Sequence, residues 1–207
     1  MRYYISDQHF FHAAMNDKMD KRGFADVEAM NEYMISQFNS RVRKNDEVVI
    51  LGDFCYGGAA EAKSILDRLQ GKLYLIRGNH DRFLDYRKCE TGRFVWIKDY
   101  AEVHDNGRRV ILSHYPIACY NGQYKRDKDG KPHTYMLYGH VHDTEDERLI
   151  SEYEKNVRER VVTGMDGVKR NIQCNLINCF CKYSDYVPLT LNEWIELTNN
   201  RRQGLFE

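Results

Sequence analysis

The chain has 207 residues, 42% of them hydrophobic and 30% charged, with 31 Lys plus Arg balanced by 31 Asp plus Glu for a formal net charge of zero. So large an apolar share excludes a disordered chain, because burying it offsets the conformational entropy lost on folding. Charge neutrality argues against a nonspecific nucleic-acid coat protein, which needs surplus positive charge to displace counterions from phosphates.

In chain order, Tyr3 to Ser6 reads as a short buried strand. Val27 to Arg43 follows as a helix, with Val27, Met30, Met34 and Phe38 at spacings of three and four on one face. Val48 to Leu51 is the next strand. Ala59 to Leu69 is a second helix, with Ile65, Leu66 and Leu69 inward, and Leu73 to Ile76 a third strand. Asn106-Gly107 between Ala101 to His104 and Arg109 to Leu112 signals a tight hairpin. Tyr135 to Tyr138 is a further strand, and Glu145 to Val162 an amphipathic surface helix resting on Leu149, Ile150, Tyr153 and Val157. Thr190 and Glu193 have the spacing of a capping box opening a helix through Trp194 and Leu197. Strands alternating with helices early, then a hairpin and later strands, give an α/β chain with mixed sheets.

Three prolines, no low-complexity stretch and no internal repeat leave no linker, so residues 1–207 are expected to form one domain. No apolar run approaches the roughly 20 residues of a membrane span. Met1 leads into Arg2-Tyr3-Tyr4-Ile5 with neither the cationic nor the apolar region of a secretory signal, and a cytoplasmic protein without a membrane partner is expected. The cysteines, Cys55, Cys89, Cys119, Cys174, Cys179 and Cys181, are scattered in a chain too large to need disulfides and are expected to be reduced. Cys174 to Cys181 lacks the paired C-x-x-C spacing of a structural zinc site and reads as an apolar strand.

Five apolar runs stop at polar clusters: Ser6-Asp7-Gln8-His9, Gly52-Asp53, Gly78-Asn79-His80-Asp81, Ser113-His114 and Gly139-His140-Val141-His142. In open α/β sheets, ligands bind beyond the carboxyl ends of the strands, so five such ends can share one rim. Together they offer carboxylate, amide oxygen and imidazole without thiolate, a mixture suited to manganese, iron or zinc. The donors outnumber one ion's requirement. A shared carboxylate can bridge two ions about 3.5 to 4 Å apart, which would lower the pKa of a bridging water and present hydroxide at neutral pH. His104 and His133 lie outside these clusters and read as surface residues.

As a set, these residues resemble the calcineurin-like metallophosphoesterase superfamily, whose pattern runs D-x-H, G-D, G-N-H-[DE], a lone H and G-H-x-H. The match extends from Asp7 to His142. It is also similar to a small bacterial and phage branch, through Ser-Asp-x-His-Phe at residues 6–10, Leu-Gly-Asp-Phe at 51–54 and the stretch Asn178 to Trp194. The resemblance implies a four-layer α/β/β/α sandwich of two mixed β-sheets. It implies that Asp7, His9 and His142 hold one divalent ion, that Asn79, His114 and His140 hold another, and that Asp53 bridges them. His80 would face substrate, stabilising charge or protonating the leaving oxygen, with Asp81 holding its imidazole. Two departures stand out. Tyr56 sits where many relatives carry a second acid after Gly52-Asp53, and Gln8 occupies the middle of D-x-H.

Two further candidates follow. His12 is three residues after His9, in reach of the second shell or of substrate. Arg22, in Lys21-Arg22-Gly23-Phe24, resembles the branch's Arg-Pro-Phe segment with glycine for proline, and its guanidinium is a candidate phosphate grip. The expectation is a hydrolase of a phosphomonoester or phosphodiester, with a small nucleotide-like substrate. A nuclease is the runner-up, because Lys125-Arg126-Asp127-Lys128 and Arg148 to Arg160 can line a track, but their interspersed acids favour solvated faces. A noncatalytic metal-binding scaffold is the alternative of another class, and His80 and Asp81 argue against it.

Overall fold

A computed structural model describes residues 1–87, 89, 91–165 and 167–204. Two four-stranded sheets dominate it. The first has the order β1 (Arg2–Ile5), β2 (Glu47–Ile50), β3 (Lys72–Ile76), β4 (Phe94–Lys98). All three of its strand pairs are parallel, and it becomes mixed only through an antiparallel bridge from Tyr4 to Leu189. The second is mixed throughout, in the order β10 (Leu176–Asn178), β7 (Thr134–Tyr138), β6 (Arg108–Ser113), β5 (Tyr100–Asp105), with β5 antiparallel to β6 and the other pairs parallel. A hairpin of β8 (Val161–Thr163) and β9 (Lys169–Asn171) stands apart. The helices are α1 (Ala13–Asp17), α2 (Val27–Arg41), α3 (Ala59–Leu66), α4 (Glu145–Glu159) and α5 (Leu191–Gln203).

Strand side chains alternate between faces, and the alternation sorts the core into three clusters. Tyr3, Ile5, Val48, Ile50, Leu73 and Leu75 face Met30, Met34 and Phe38 of α2 and Ala62, Ile65 and Leu66 of α3. Tyr4, Val49, Leu51 and Ile76, from the opposite side of the first sheet, meet Val110, Leu112, Tyr135, Leu137 and Ile177 of the second, with Trp194 of α5 closing one flank. Ile111, Met136, Tyr138 and Leu176 then turn to Ile150, Tyr153 and Val157 of α4. These clusters are consistent with the expected α/β architecture of two sheets flanked by helices.

The stretch around the last cysteines joins the two sheets beside the first motif. Cys179 N–H donates to the Tyr138 carbonyl, Ser6 N–H to the Cys179 carbonyl and Cys181 N–H to the Ser6 carbonyl. Cys55, Cys119, Cys174, Cys179 and Cys181 are free thiols, and burial pushes Cys181 up to about 12.

Local signals behave as chemistry requires. Asp26 caps α2 by accepting from Ala29 N–H at 2.7 Å, Thr190 and Glu193 form the capping box, and Asn106 and Gly107 take left-handed angles at the β5–β6 hairpin (φ 48° and 77°). The surface helix needs correction. It ends at Glu159, because Val161 and Val162 enter β8, and Leu149 is 56% exposed. Its buried face carries Glu147, Ser151 and Glu154. Glu147 accepts from Tyr138 Oη and Asn178 Nδ2, and Glu154 accepts from Leu176 N–H and pairs with Arg158 and Arg202, so hydrogen bonds make burial of charge tolerable there. Strand β4 and the β8–β9 hairpin were not predicted. Among the described residues, no helix is long and apolar enough to cross a membrane.

Candidate metal centre

Because β1, β2 and β3 run parallel in register, Ile5 pairs Ile50 and Ile50 pairs Leu75, and their following loops leave one edge of the first sheet. In the second sheet Leu112 pairs Leu137, so the loops after β6 and β7 also leave together. Asp7, His9, Asp53, His140 and His142 all take positive φ, between 49° and 72°. Such angles are disfavoured for residues with a Cβ, and their concentration here is the strain that functional sites carry. Glycines admit the close approach. A Cβ on Gly78 would collide with the Asp53 carboxylate, and one on Gly139 with Asp7.

Two donor groups result: Asp7, His9, Asp53 and His142, and Asp53, His114 and His140, with the ligand atoms of each group within 4.8 Å of one another. Asp53 belongs to both. Its Oδ2 lies 3.4 Å from His9 Nε2 and 3.4 Å from His114 Nε2, while Oδ1 accepts from His80 N–H at 2.8 Å. Asn79 completes the second group, its Oδ1 lying 3.0 Å from His114 Nε2 and 2.9 Å from His140 Nδ1.

The donor chemistry fits cations. His114 Nδ1 lies 2.8 Å from the Leu51 carbonyl, an acceptor only, so Nδ1 carries hydrogen and a neutral ring turns its Nε2 lone pair toward two acceptors, Asn79 Oδ1 and Asp53 Oδ2. His9 Nε2 and His142 Nε2 stand 3.1 Å apart, and Asp7 Oδ2 is buried without a hydrogen-bond partner. Acceptors converging on acceptors in a buried site call for positive charge between them. Burial works against ionised Asp7, but His142, His114 and His9 hold its carboxyl far below the usual range. Asp53 is likewise lowered, through His114 and His9. Burial depresses His9 to about 3, leaving it neutral. His114 is raised against burial to about 9 by Asp53 and Asp7, and His142 to about 10 by Asp20 and Asp7. Divalent cations would take over the role of those protons.

The other predicted residues divide. His80 stands beside the cluster, with ring centroids 5.4 Å from His9 and 5.9 Å from Tyr56. Asp81 does not hold it. The Asp81 carboxylate is fully buried and accepts from the backbone N–H groups of Gly78, Asp53, Phe54 and Cys55 at 2.8, 3.0, 2.7 and 3.3 Å, because its own turn folds it under the chain.

Arg22 is no phosphate grip. Its side chain is covered and its five N–H groups are engaged by Asp20 Oδ2 (twice), the carbonyls of Asp7 and Gln8, and Met34 Sδ. Arg22→Ala would strip Asp20 Oδ2 and the Asp7 and Gln8 carbonyls of their guanidinium donors, and is expected to lower unfolding free energy by about 3 to 5 kcal/mol in urea titrations. His12 is buried against Tyr56, 3.8 Å between ring centroids, and 5.5 Å from His9. The departure at Tyr56 thus supplies an aromatic cover in place of an acid. The Gln8 amide is buried with neither atom hydrogen-bonded.

Sequence reasoning missed Asp20, whose Oδ1 lies 2.7 Å from His142 Nδ1. It also missed Asn178, whose Nδ2 donates to the His142 carbonyl at 2.9 Å. The position of Asp20 two residues before Arg22 was the only local signal for it.

A buried carboxylate common to two imidazole-rich groups, raised on strained loops, makes a cluster that could hold metal ions. The chain belongs to the calcineurin-like phosphoesterase superfamily, whose domain model matches residues 3–161. Members of that superfamily typically depend on divalent metals. An uncharacterized protein of Methanocaldococcus jannaschii is 34% identical over 142 residues, 68% of this chain and 68% of its own. A glycerophosphodiester phosphodiesterase of Enterobacter lignolyticus is 40% identical over 90 residues, 40% of this chain and only 31% of that enzyme. The crystal structure of a protein of unknown function from Aquifex aeolicus shares the fold with a TM-score of 0.63 at 23% identity, over 95% of this chain and 98% of its own.

Proposed function

We propose that this single-domain chain is a cytoplasmic hydrolase of small phosphate esters, nucleotide-like monoesters or diesters, working with two divalent cations of manganese, iron or zinc. Asp7, His9 and His142 would hold one cation, Asn79, His114 and His140 the other, and Asp53 both. The observation that carries this reading is the single oxygen, Asp53 Oδ2, equidistant at 3.4 Å from an imidazole of each half-site. When bound, such cations supply Lewis acidity, neutralising phosphoryl charge and acidifying water.

The protein's own contribution starts at Asp53, whose second oxygen fixes the turn bearing His80. The His80 ring lies outside both donor groups, free to hold a proton on a ring nitrogen for the departing oxygen. His12 packs on that side between His9 and Tyr56. The partial likeness to a phosphodiesterase supports diesters among the substrates. A long nucleic-acid track has less support, since Arg148 pairs with Glu145, Arg158 with Glu154, and Arg126 donates to the carbonyls of Gly130 and Asn171.

The test is one manganese assay across bis(p-nitrophenyl) phosphate, p-nitrophenyl phosphate, cyclic nucleotides and oligonucleotides. Turnover of a small ester that disappears on chelation and returns with manganese is expected. Full activity in a metal-depleted sample rejects the reading, and no turnover anywhere despite two bound cations per chain would favour the scaffold.

A further inference from the structure

We infer that Asp20 is a positioning residue that fixes the His142 imidazole and acts on one cation half-site alone. Asp20 lies beyond α1, 122 positions from His142, yet its Oδ1 is 2.7 Å from His142 Nδ1. Both side chains are nine-tenths buried, at 7% and 10% exposure. An ionised carboxylate only accepts, so the hydrogen resides on Nδ1, and the opposite nitrogen is the one directed into the cluster, 3.1 Å from His9 Nε2 and 3.6 Å from Asp7 Oδ1. The ring is also stacked on Phe180, centroids 4.6 Å apart at 22°, which opposes a flip.

Asp20 is itself locked. Its Oδ2 receives Nε and Nη2 of Arg22 at 3.0 and 2.8 Å, and Lys182 Nζ donates to its carbonyl at 2.7 Å. Through the Asp7 and Gln8 carbonyls, Arg22 carries the same clamp to the first motif. Asp20 thus ties the ligands at residues 7 and 142 into one rigid unit.

Among the described residues, no carboxylate backs the other imidazoles in this way. His114 is backed by the neutral carbonyl of Leu51, His9 Nδ1 is buried without a partner, and His140 Nδ1 faces Asn79 inside the cluster. A carboxylate behind an imidazole fixes its orientation and raises its basicity as a ligand, and removing such a partner typically costs about 10- to 100-fold in metal affinity. The loss should fall on the half-site of Asp7, His9 and His142 and spare that of Asn79, His114 and His140.

This inference rests on the two-cation reading, and its test separates the two. Metal-stripped wild type, Asp20→Asn and Asp20→Ala are titrated with Zn²⁺ by calorimetry, with thermal melts in chelator alongside. Wild type is expected to take up two ions. Asp20→Asn, which keeps an acceptor but not the charge, should weaken one ion about 10-fold, and Asp20→Ala about 100-fold, with the other ion unmoved. In zinc-loaded protein, long-range ¹H–¹⁵N spectra should show His142 protonated on Nδ1 in wild type and Asp20→Asn, while Asp20→Ala, with no acceptor holding that hydrogen, should add a second population in which the ring has flipped and the hydrogen sits on Nε2. Should Asp20→Ala fail to fold, Asp20→Asn carries the test through the same selective loss. Unchanged affinities, or equal weakening of both ions as general destabilisation would give, overturn the role of Asp20. A wild type that binds no zinc overturns the cation reading instead.

Discussion

Asp53→Asn is expected to lower turnover of any phosphate ester by more than about 100-fold, the upper range for residues that merely support a ligand, while the protein keeps its fold. The asymmetry follows from what each oxygen does. Oδ1 accepts from His80 N–H, and an asparagine carbonyl serves there equally. Oδ2 faces His9 Nε2 and His114 Nε2, and an amide nitrogen in that place presents hydrogens where the site needs an anion. The near-isosteric change opens no cavity in the cluster of Phe54 and Ile50, so melts in chelator should stay close to wild type. Metal analysis should show fewer than two manganese ions per chain. An Asp53→Asn protein that turns over at the wild-type rate would refute the shared-carboxylate reading. One that is unfolded in chelator would show that Oδ2 has a structural role, which the distances do not predict.

What the sequence made legible, and what it did not, divides by range. Each short apolar run ended at a polar cluster, and parallel pairing then brought those ends together, so the clusters holding Asp7, His9, Asp53, Asn79, His114, His140 and His142 were readable from local pattern plus one rule about strand ends, while only the family resemblance set these seven apart from His80 and Asp81. The Asn106-Gly107 turn and the Thr190–Glu193 box were likewise local chemistry. Arg22, Asp81 and the inner face of α4 were misread because their side-chain directions depend on partners distant in sequence. Nothing near Arg22 announces that the carbonyls of Asp7 and Gln8 await it, 15 and 14 residues away. Nothing near Glu154 announces Leu176 N–H or Arg202. Apolar periodicity finds the greasy face of a helix, and α4 buries two glutamates because hydrogen bonds, invisible to periodicity, make that burial tolerable.

Asp81→Ala is expected to destabilise the protein by several kcal/mol, since each buried N–H donor left unsatisfied costs about 1 to 3 kcal/mol. The carboxylate is fully buried and, among the described residues, is the only acceptor for the N–H groups of Gly78, Asp53, Phe54 and Cys55. Those groups come from two loops, after β2 and after β3, so Asp81 pins the backbone of Asp53 to the turn that presents Asn79 and His80. No cation stands against it among these contacts. Burial, reinforced by the Asp53 charge, raises it to about 7, and the backbone N–H groups oppose that rise. Alanine orphans all four donors at once. Asparagine retains one acceptor and turns an NH₂ toward the remaining N–H groups, so its loss should be smaller but still measurable in urea unfolding under chelation. The opposite outcome has equal content. If Asp81 acted by orienting the His80 ring, Asp81→Asn would leave unfolding free energy within about 0.5 kcal/mol, as for a surface change, and would move the pH profile of turnover instead. The geometry predicts lost stability, accompanied by weaker cation uptake as the Asp53 loop comes free.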